Sequence, residues 1–191
     1  MNDALAIYTP LGAEGYELCH PVNPDDFERV NVEVNGVSRR SGWRPPQMEI
    51  VQDDEGKQLI ASDAPWLGSH ALIFKRSAIE RLESELLTHG ELLPAKCASE
   101  DVWIYNPTRV LDALDESAAS VLRFEDGRIM MIQRYAFKEA VVRNADVFKI
   151  RGMRVSPTFV SQAFVDRWSA SGLKGLEFKK VWSLPQGRER S

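Results

Sequence analysis

An α+β fold, built on a mainly antiparallel sheet with a few packed helices, is predicted by three features of this 191-residue sequence. The apolar arms A-S-V-L-R-F and I-M-M-I-Q-R-Y-A-F flank E-D-G-R, where Asp126-Gly127 supplies the positive φ angles of a tight hairpin. Ile79, Leu82, Leu86 and Leu87 recur at helical spacing between Ser77 and Gly90. Strand-like and helix-like segments follow one another without a βαβ rhythm, which argues against a doubly wound parallel sheet.

Taken in order, A-L-A-I-Y-T-P predicts a short opening strand ended by Pro10, and D-D-F-E-R-V a single helical turn. V-N-V-E-V, with Val30, Val32 and Val34 alternating, predicts a strand, and Asn35-Gly36 a hairpin turn. R-R-S-G-W-R-P-P is a basic loop, M-E-I-V-Q a strand able to pair with V-N-V-E-V, and D-D-E-G-K a turn. Ala71 to Phe74 form a short apolar segment before the helix, for which Ser77 and Glu80 spell a capping box and Gly90 the stop. Leu92 and Leu93 lead to a turn at Pro94, and V-W-I-Y-N-P is a strand stopped at Asn106-Pro107. Val110, Leu111 and Leu114 suggest a short helix or turn, D-A-L-D-E-S an acidic turn, and V-F-K-I-R a strand after the hairpin. From Phe159 to Trp182 the chain reads as strand end, helix capped by Ser161 and stopped by Gly172, and closing strand, with Phe164, Val165 and Trp168 on one helical face. Phe164, Trp168, Leu176 and Phe178 are candidate core, and the tail from Pro185 is expected to fray.

Residues 1–191 fit one domain, with a less regular stretch over residues 1–70. The hydrophobic share of 43% and charged share of 27% are ordinary for a folded globular chain. No apolar run approaches a membrane span and no signal-peptide pattern opens the chain, so no membrane partner and a cytoplasmic location are the expectation. The net charge of −4 conceals a split: residues 1–126 hold 23 Asp or Glu against 11 Lys or Arg, and residues 127–191 hold 5 against 13. Such asymmetry either steers a charged partner or is neutralised within the fold.

Motifs for catalysis and cofactors are missing from the sequence. There is no G-x-S-x-G elbow, phosphate loop, dinucleotide fingerprint or H-E-x-x-H, so no enzyme activity and no cofactor are predicted. Cys19 and Cys97 read as free thiols, and His20, His70 and His89 lack metal-site spacing. Arg143, Lys149, Arg151 and Arg154 make the C-terminal region basic without any nucleic-acid-binding signature, so no direct nucleic-acid contact is expected. The acidic groups Asp112, Asp115, Glu116, Glu125 and Asp126 are turn and cap residues, or a surface that mimics phosphates toward a basic partner. Trp43 and Trp66, in loop-like segments, either anchor an interface or plug a small core under a loop. Trp168 and Trp182 fall in apolar patterns that read as core.

Several local words carry a resemblance. Y-N-P at Tyr105 to Pro107, D-A-L-D at Asp112 to Asp115 followed by Ser117, the hairpin R-F-E-D-G-R-I, V-F-K-I at Val147 to Ile150, F-V-S-Q-A-F and G-L-K-G-L-E-F occur in an order that, over the part from Val102 spanning residues 102–184, resembles the immunity-protein-11 family of bacterial polymorphic toxin systems. The resemblance implies a cytoplasmic inhibitor that binds and occludes a cognate toxin, with no catalytic residues to carry over. The acid-rich region would suit a basic nuclease toxin, and the seven acidic and tryptophan residues named above are the candidate contacts. An effector-loading adaptor or a small enzyme are the alternatives, and the oligomeric state is left open.

Overall fold

The computed structural model describes residues 5–153 and 155–184, so Arg154 and the tail from Pro185 lie outside the described residues. In chain order the elements are β1 (Ala6–Gly12), β2 (Leu18–Pro21), α1 (Asp25–Glu33), β3 (Gln47–Val51), β4 (Asp53–Asp54), β5 (Lys57–Gln58), β6 (Leu72–Lys75), α2 (Arg76–His89) and β7 (Gly90–Cys97). There follow β8 (Val102–Pro107), β9 (Val110–Leu111), β10 (Ser120–Arg123), β11 (Ile129–Arg134), α3 (Glu139–Val142), β12 (Val147–Ile150), β13 (Phe159–Ser161), α4 (Gln162–Ala170) and β14 (Leu176–Ser183). The class is α+β, as expected. One five-stranded sheet has the order β14-β1-β13-β12-β9 and the other β2-β3-β7-β8-β6. Most pairings are antiparallel, but β3–β7 and β9–β12 run parallel, so both sheets are mixed.

Three layers of core explain the strand sequences. Successive side chains of a strand point to opposite faces, so a strand covered on both sides reads as a continuous apolar run. In β6, Leu72 and Phe74 join a central core with α2, α4 and Tyr105, while Ile73 faces an outer core with Val30, Met48, Leu93 and Ile104. In β12 and β13, Val147 and Val160 face the centre, and Phe148 and Phe159 face a third core under the β10–β11 hairpin. There Phe137 meets Phe159 with ring centroids 5.4 Å apart and Phe148 at 6.0 Å. Phe164, Trp168 and Leu176 are buried in the central core, with Phe178 packed against it, and Trp182 packs partly buried on the third. Ser161 caps α4 by accepting the Phe164 amide at 3.2 Å, and Gly172 follows with positive φ.

Several local expectations are corrected. V-N-V-E-V is not a strand but the end of α1 and its C-cap Val34: Val30 and Val34, four apart, share the buried face while Val32 is 49% exposed. A Val at every second position fits both periods. M-E-I-V-Q therefore pairs with β2 and β7 instead. Asn35-Gly36 turns the chain without forming a hairpin. Pro10 and Pro94 do not end their strands, because β1 beyond Tyr8 and β7 before Lys96 are flanked on one side only, where a missing N–H breaks no second ladder. The Ser77–Glu80 capping box is absent: α2 already begins at Arg76, and Ser77 donates its hydroxyl to Asp63 Oδ1 at 2.5 Å. Gly90 does end α2, but with extended backbone that continues into β7. Val110 and Leu111 form β9 rather than a helix, pairing with Lys149 and Ile150.

Candidate interaction surface

The β10–β11 hairpin stands apart from both large sheets and exposes apolar side chains. Its turn is closed by Gly127 at φ +83°, and the Phe124 amide donates to the Arg128 carbonyl at 2.9 Å. The register slips at two points, between Ser120 and Val121 and between Leu122 and Arg123. These irregularities let Ile129 and Ile132, three apart, both turn into the third core. Outside remain Leu122 (42% exposed), Phe124 (45%), Met130 (49%) and Met131 (47%), with Leu122 directly opposite Met131. Strict alternation would have buried Met131 with Ile129, so the sequence pattern did not reveal this face. The bulges that produce it have no composition signal.

Most of the candidate acidic residues are locally engaged. Lys138 donates to Asp112 at 2.9 Å and holds its carboxyl below the usual range. Asp115 accepts the Ser117 hydroxyl at 2.6 Å and its amide at 3.1 Å, which also lowers its carboxyl. Glu116 pairs with Arg123, and Asp126 with Arg128 at 2.6 Å. Glu125, exposed at the turn, has no such partner among the described residues. The negative patch expected from composition is thus largely neutralised, with Glu125 its free carboxylate. Asp112 and Asp115 lie before β10, and Glu116, Glu125 and Asp126 are on or against the hairpin.

The two tryptophans differ in their surroundings. Trp66 packs half-buried against the central core, its ring filling the space beside Gly12, where an added Cβ would come within 2.6 Å. Trp43 packs on the outer core, donates its indole N–H to the Pro94 carbonyl at 2.8 Å and carries the Arg29 guanidinium 5.7 Å above its ring.

Buried polar groups tie segments of the chain to one another. Glu17 and Lys75 pair at 2.6 Å, with Ser62 and Gln52 also donating to Glu17 and Glu100 accepting from Lys75 at 2.8 Å. Burial pushes the Glu17 carboxyl up, but these donors outweigh it and hold it below the usual range. Lys149 is 1% exposed and donates to the carbonyls of His70 at 2.7 Å and Ser156 at 3.0 Å; burial pushes its amine down to about 7. Cys19 and Cys97 are free thiols, the former pushed up to about 12 by burial. Glu85, His89 and Asp146 bring one ligand atom each within 4.8 Å, a grouping the scattered histidines did not announce. Arg167 already donates to Glu85 at 2.8 Å and Asp146 at 3.1 Å, so a guanidinium neutralises the pair.

These elements present an apolar face on a well-supported hairpin, the kind of surface through which proteins contact proteins. Residues 91–183 match the model of the immunity protein family Imm11, a stretch that runs from β7 to β14 and contains the whole hairpin. The resemblance read in the sequence stands, and the match extends it upstream from Val102 to Glu91. No curated protein matches the chain. Among the described residues, no helix is long and apolar enough to cross a membrane.

Proposed function

We propose that this chain is an immunity protein that binds a cognate toxin of a polymorphic toxin system in the cytoplasm and occludes it, as one domain and without catalysis of its own. The observation that carries the reading is the match to the Imm11 immunity family over residues 91–183. The contact surface is the outer face of the β10–β11 hairpin: Leu122, Phe124, Met130 and Met131 form the apolar centre and Glu125 a charged rim. Large side chains that lose water on association supply most of the affinity, while a rim carboxylate steers encounter. A basic toxin face such as a nuclease active site would meet the Glu125 carboxylate at that rim, the other acids of the patch being locally engaged.

Growth of cells expressing the toxin encoded beside this chain, with and without co-expression, tests the reading. Protection by the wild type and its loss in the Leu122→Ser, Met131→Ser double variant, with folding unchanged by circular dichroism, is expected. Absence of protection by the wild type sinks the immunity reading; protection by the double variant removes the hairpin from it.

A further inference from the structure

A second surface, formed by no residue of the hairpin, lies where the basic loop meets β7. Arg39, Arg40, Trp43, Leu87, Leu92 and Pro94 line a cleft of about 390 Å³, and a smaller hollow of about 280 Å³ shares Arg40 with it. Its apolar floor is fixed on two sides. Trp43 is held by its bond to the Pro94 carbonyl and by Arg29, itself paired with Asp26 at 2.8 Å and Glu33 at 3.2 Å. Leu87 lies 49% exposed on α2 at the opposite wall. On the β3 side, Leu92 to Pro94 have no strand beside them among the described residues, since β3 joins β7 only at Lys96 and Cys97.

The cleft carries two guanidiniums against one carboxylate, and the Arg40 side chain is its free cation among the described residues. Arg39 spends its guanidinium on the Glu33 carbonyl at 3.0 Å and the Asn35 side chain, and Arg40 has no side-chain partner among the described residues. The one carboxylate in the lining, Glu91, is only 5% exposed and turns both oxygens to the Ser38 hydroxyl, the Arg39 amide and Asn106. Elsewhere Arg76, Arg123, Arg128, Arg143 and Arg167 pair with carboxylates, while Arg81, Arg109 and Arg134 donate to backbone carbonyls. Two guanidiniums beside an apolar hollow are complementary to a carboxylate next to an apolar side chain.

We infer that this cleft binds an extended acidic segment of a protein partner, an aliphatic or aromatic side chain entering between Trp43 and Leu87 and a neighbouring carboxylate meeting Arg40. Leu92, which β3 does not reach, leaves such a segment room to lie beside β7, while the Pro94 carbonyl is taken by Trp43. The site does not depend on the toxin reading.

Random dodecapeptides displayed on phage and selected on the full chain test the inference, followed by titration of the enriched synthetic peptide against wild type and Arg40→Glu. Enriched sequences should combine Asp or Glu with a large apolar residue, weaken as salt rises, and bind Arg40→Glu roughly tenfold or more weakly. Leu87→Asp, at a half-exposed position of α2 and with its folding checked by urea denaturation, should weaken them likewise. Recovery of no binder, of sequences without acidic excess, or of peptides that bind Arg40→Glu as well as wild type would overturn it.

Discussion

Glu91 and Asn106 sit opposite each other on β7 and β8, and the Asn106 amide donates to the Glu91 carboxylate at 2.8 Å in a site from which both are almost wholly excluded from water. The two side chains also reach outward to one loop. Glu91 accepts the Ser38 hydroxyl at 2.9 Å and the Arg39 amide at 2.6 Å; Asn106 accepts the Gly36 amide at 3.0 Å and donates to the Val37 carbonyl at 2.9 Å. Gly36 is required there, because its φ is +89° and a Cβ would lie 2.2 Å from Val110.

Glu91→Ala should therefore cost about 2–4 kcal/mol, since it strands three donors at once. Asn106→Ala should cost a similar amount, and the double variant less than the sum by roughly 1–2 kcal/mol, the mark of a shared network. Urea denaturation measures all three. Hydrogen exchange at the Arg39 amide should accelerate in Glu91→Ala while exchange in α4 is unchanged. Additive single-variant losses would show that the two side chains act independently.

Lys149 makes a pH prediction whose sign follows from burial. Its amine titrates at about 7 in the fold against 10.5 for the free group, so between these values the unfolded chain binds more protons. Stability from this group rises as pH increases from about 7 to 10.5 and is flat below, by up to about 5 kcal/mol across the window. Lys149→Met should remove that slope, even though it leaves the His70 and Ser156 carbonyls without their donor. Chemical denaturation at pH 7, 8 and 9 reads the slope directly; equal slopes in the two proteins would mean that the buried amine is not its source.

Much of this was legible, and the failures share a cause. The E-D-G-R hairpin, the Ser161 cap, the Gly172 stop and the buried face of α4 were predicted because each rests on local chemistry between residues within a few positions. The errors fell where a distant partner decided the outcome. Val30 lies in a helix and Val34 caps it because the outer core takes both on one side, and Pro94 stays in a strand because no second strand pairs with it on the β3 side. The acid patch looked bare in sequence because Lys138, twenty-six residues from Asp112, was not known to meet it. Likewise Met130 and Met131 are exposed through register slips that turn Ile129 and Ile132 into the third core, which a one-strand pattern does not contain.

The Imm11 match covers residues 91–183, yet its strands depend on the preceding residues of the chain. β8 lies between β7 and β6, and β1 fills the place between β14 and β13. A fragment of residues 91–184 would leave Tyr105, Phe148 and Phe159 facing water where Phe74 and Ile7 now stand. It should show no cooperative urea transition, whereas mixing it with a chain of residues 1–90 should restore one. A cooperative transition from the fragment alone would mean that the family region forms its own core.

Arg167 makes the final prediction. It stands between Glu85 and Asp146, and Asp146 is further held by the Ser161 hydroxyl at 2.6 Å, while His89 approaches Glu85 at 3.3 Å. Three potential ligand atoms within 4.8 Å would suit a borderline divalent ion such as zinc, but the guanidinium supplies the positive charge the two carboxylates need. With Arg167 removed, those carboxylates face each other uncompensated, and a cation from solution becomes the alternative. Arg167→Ala should lose about 1–2 kcal/mol, a modest figure because the arginine side chain is 42% exposed. Added zinc should then raise its melting temperature and leave the wild type unchanged. The rise follows from binding to the folded state alone, and it should vanish in Arg167→Ala, His89→Ala, which removes the nitrogen ligand. Stabilisation of the wild type by zinc would show that the guanidinium yields its place to the metal; no stabilisation of Arg167→Ala would show that the three side chains cannot close around one.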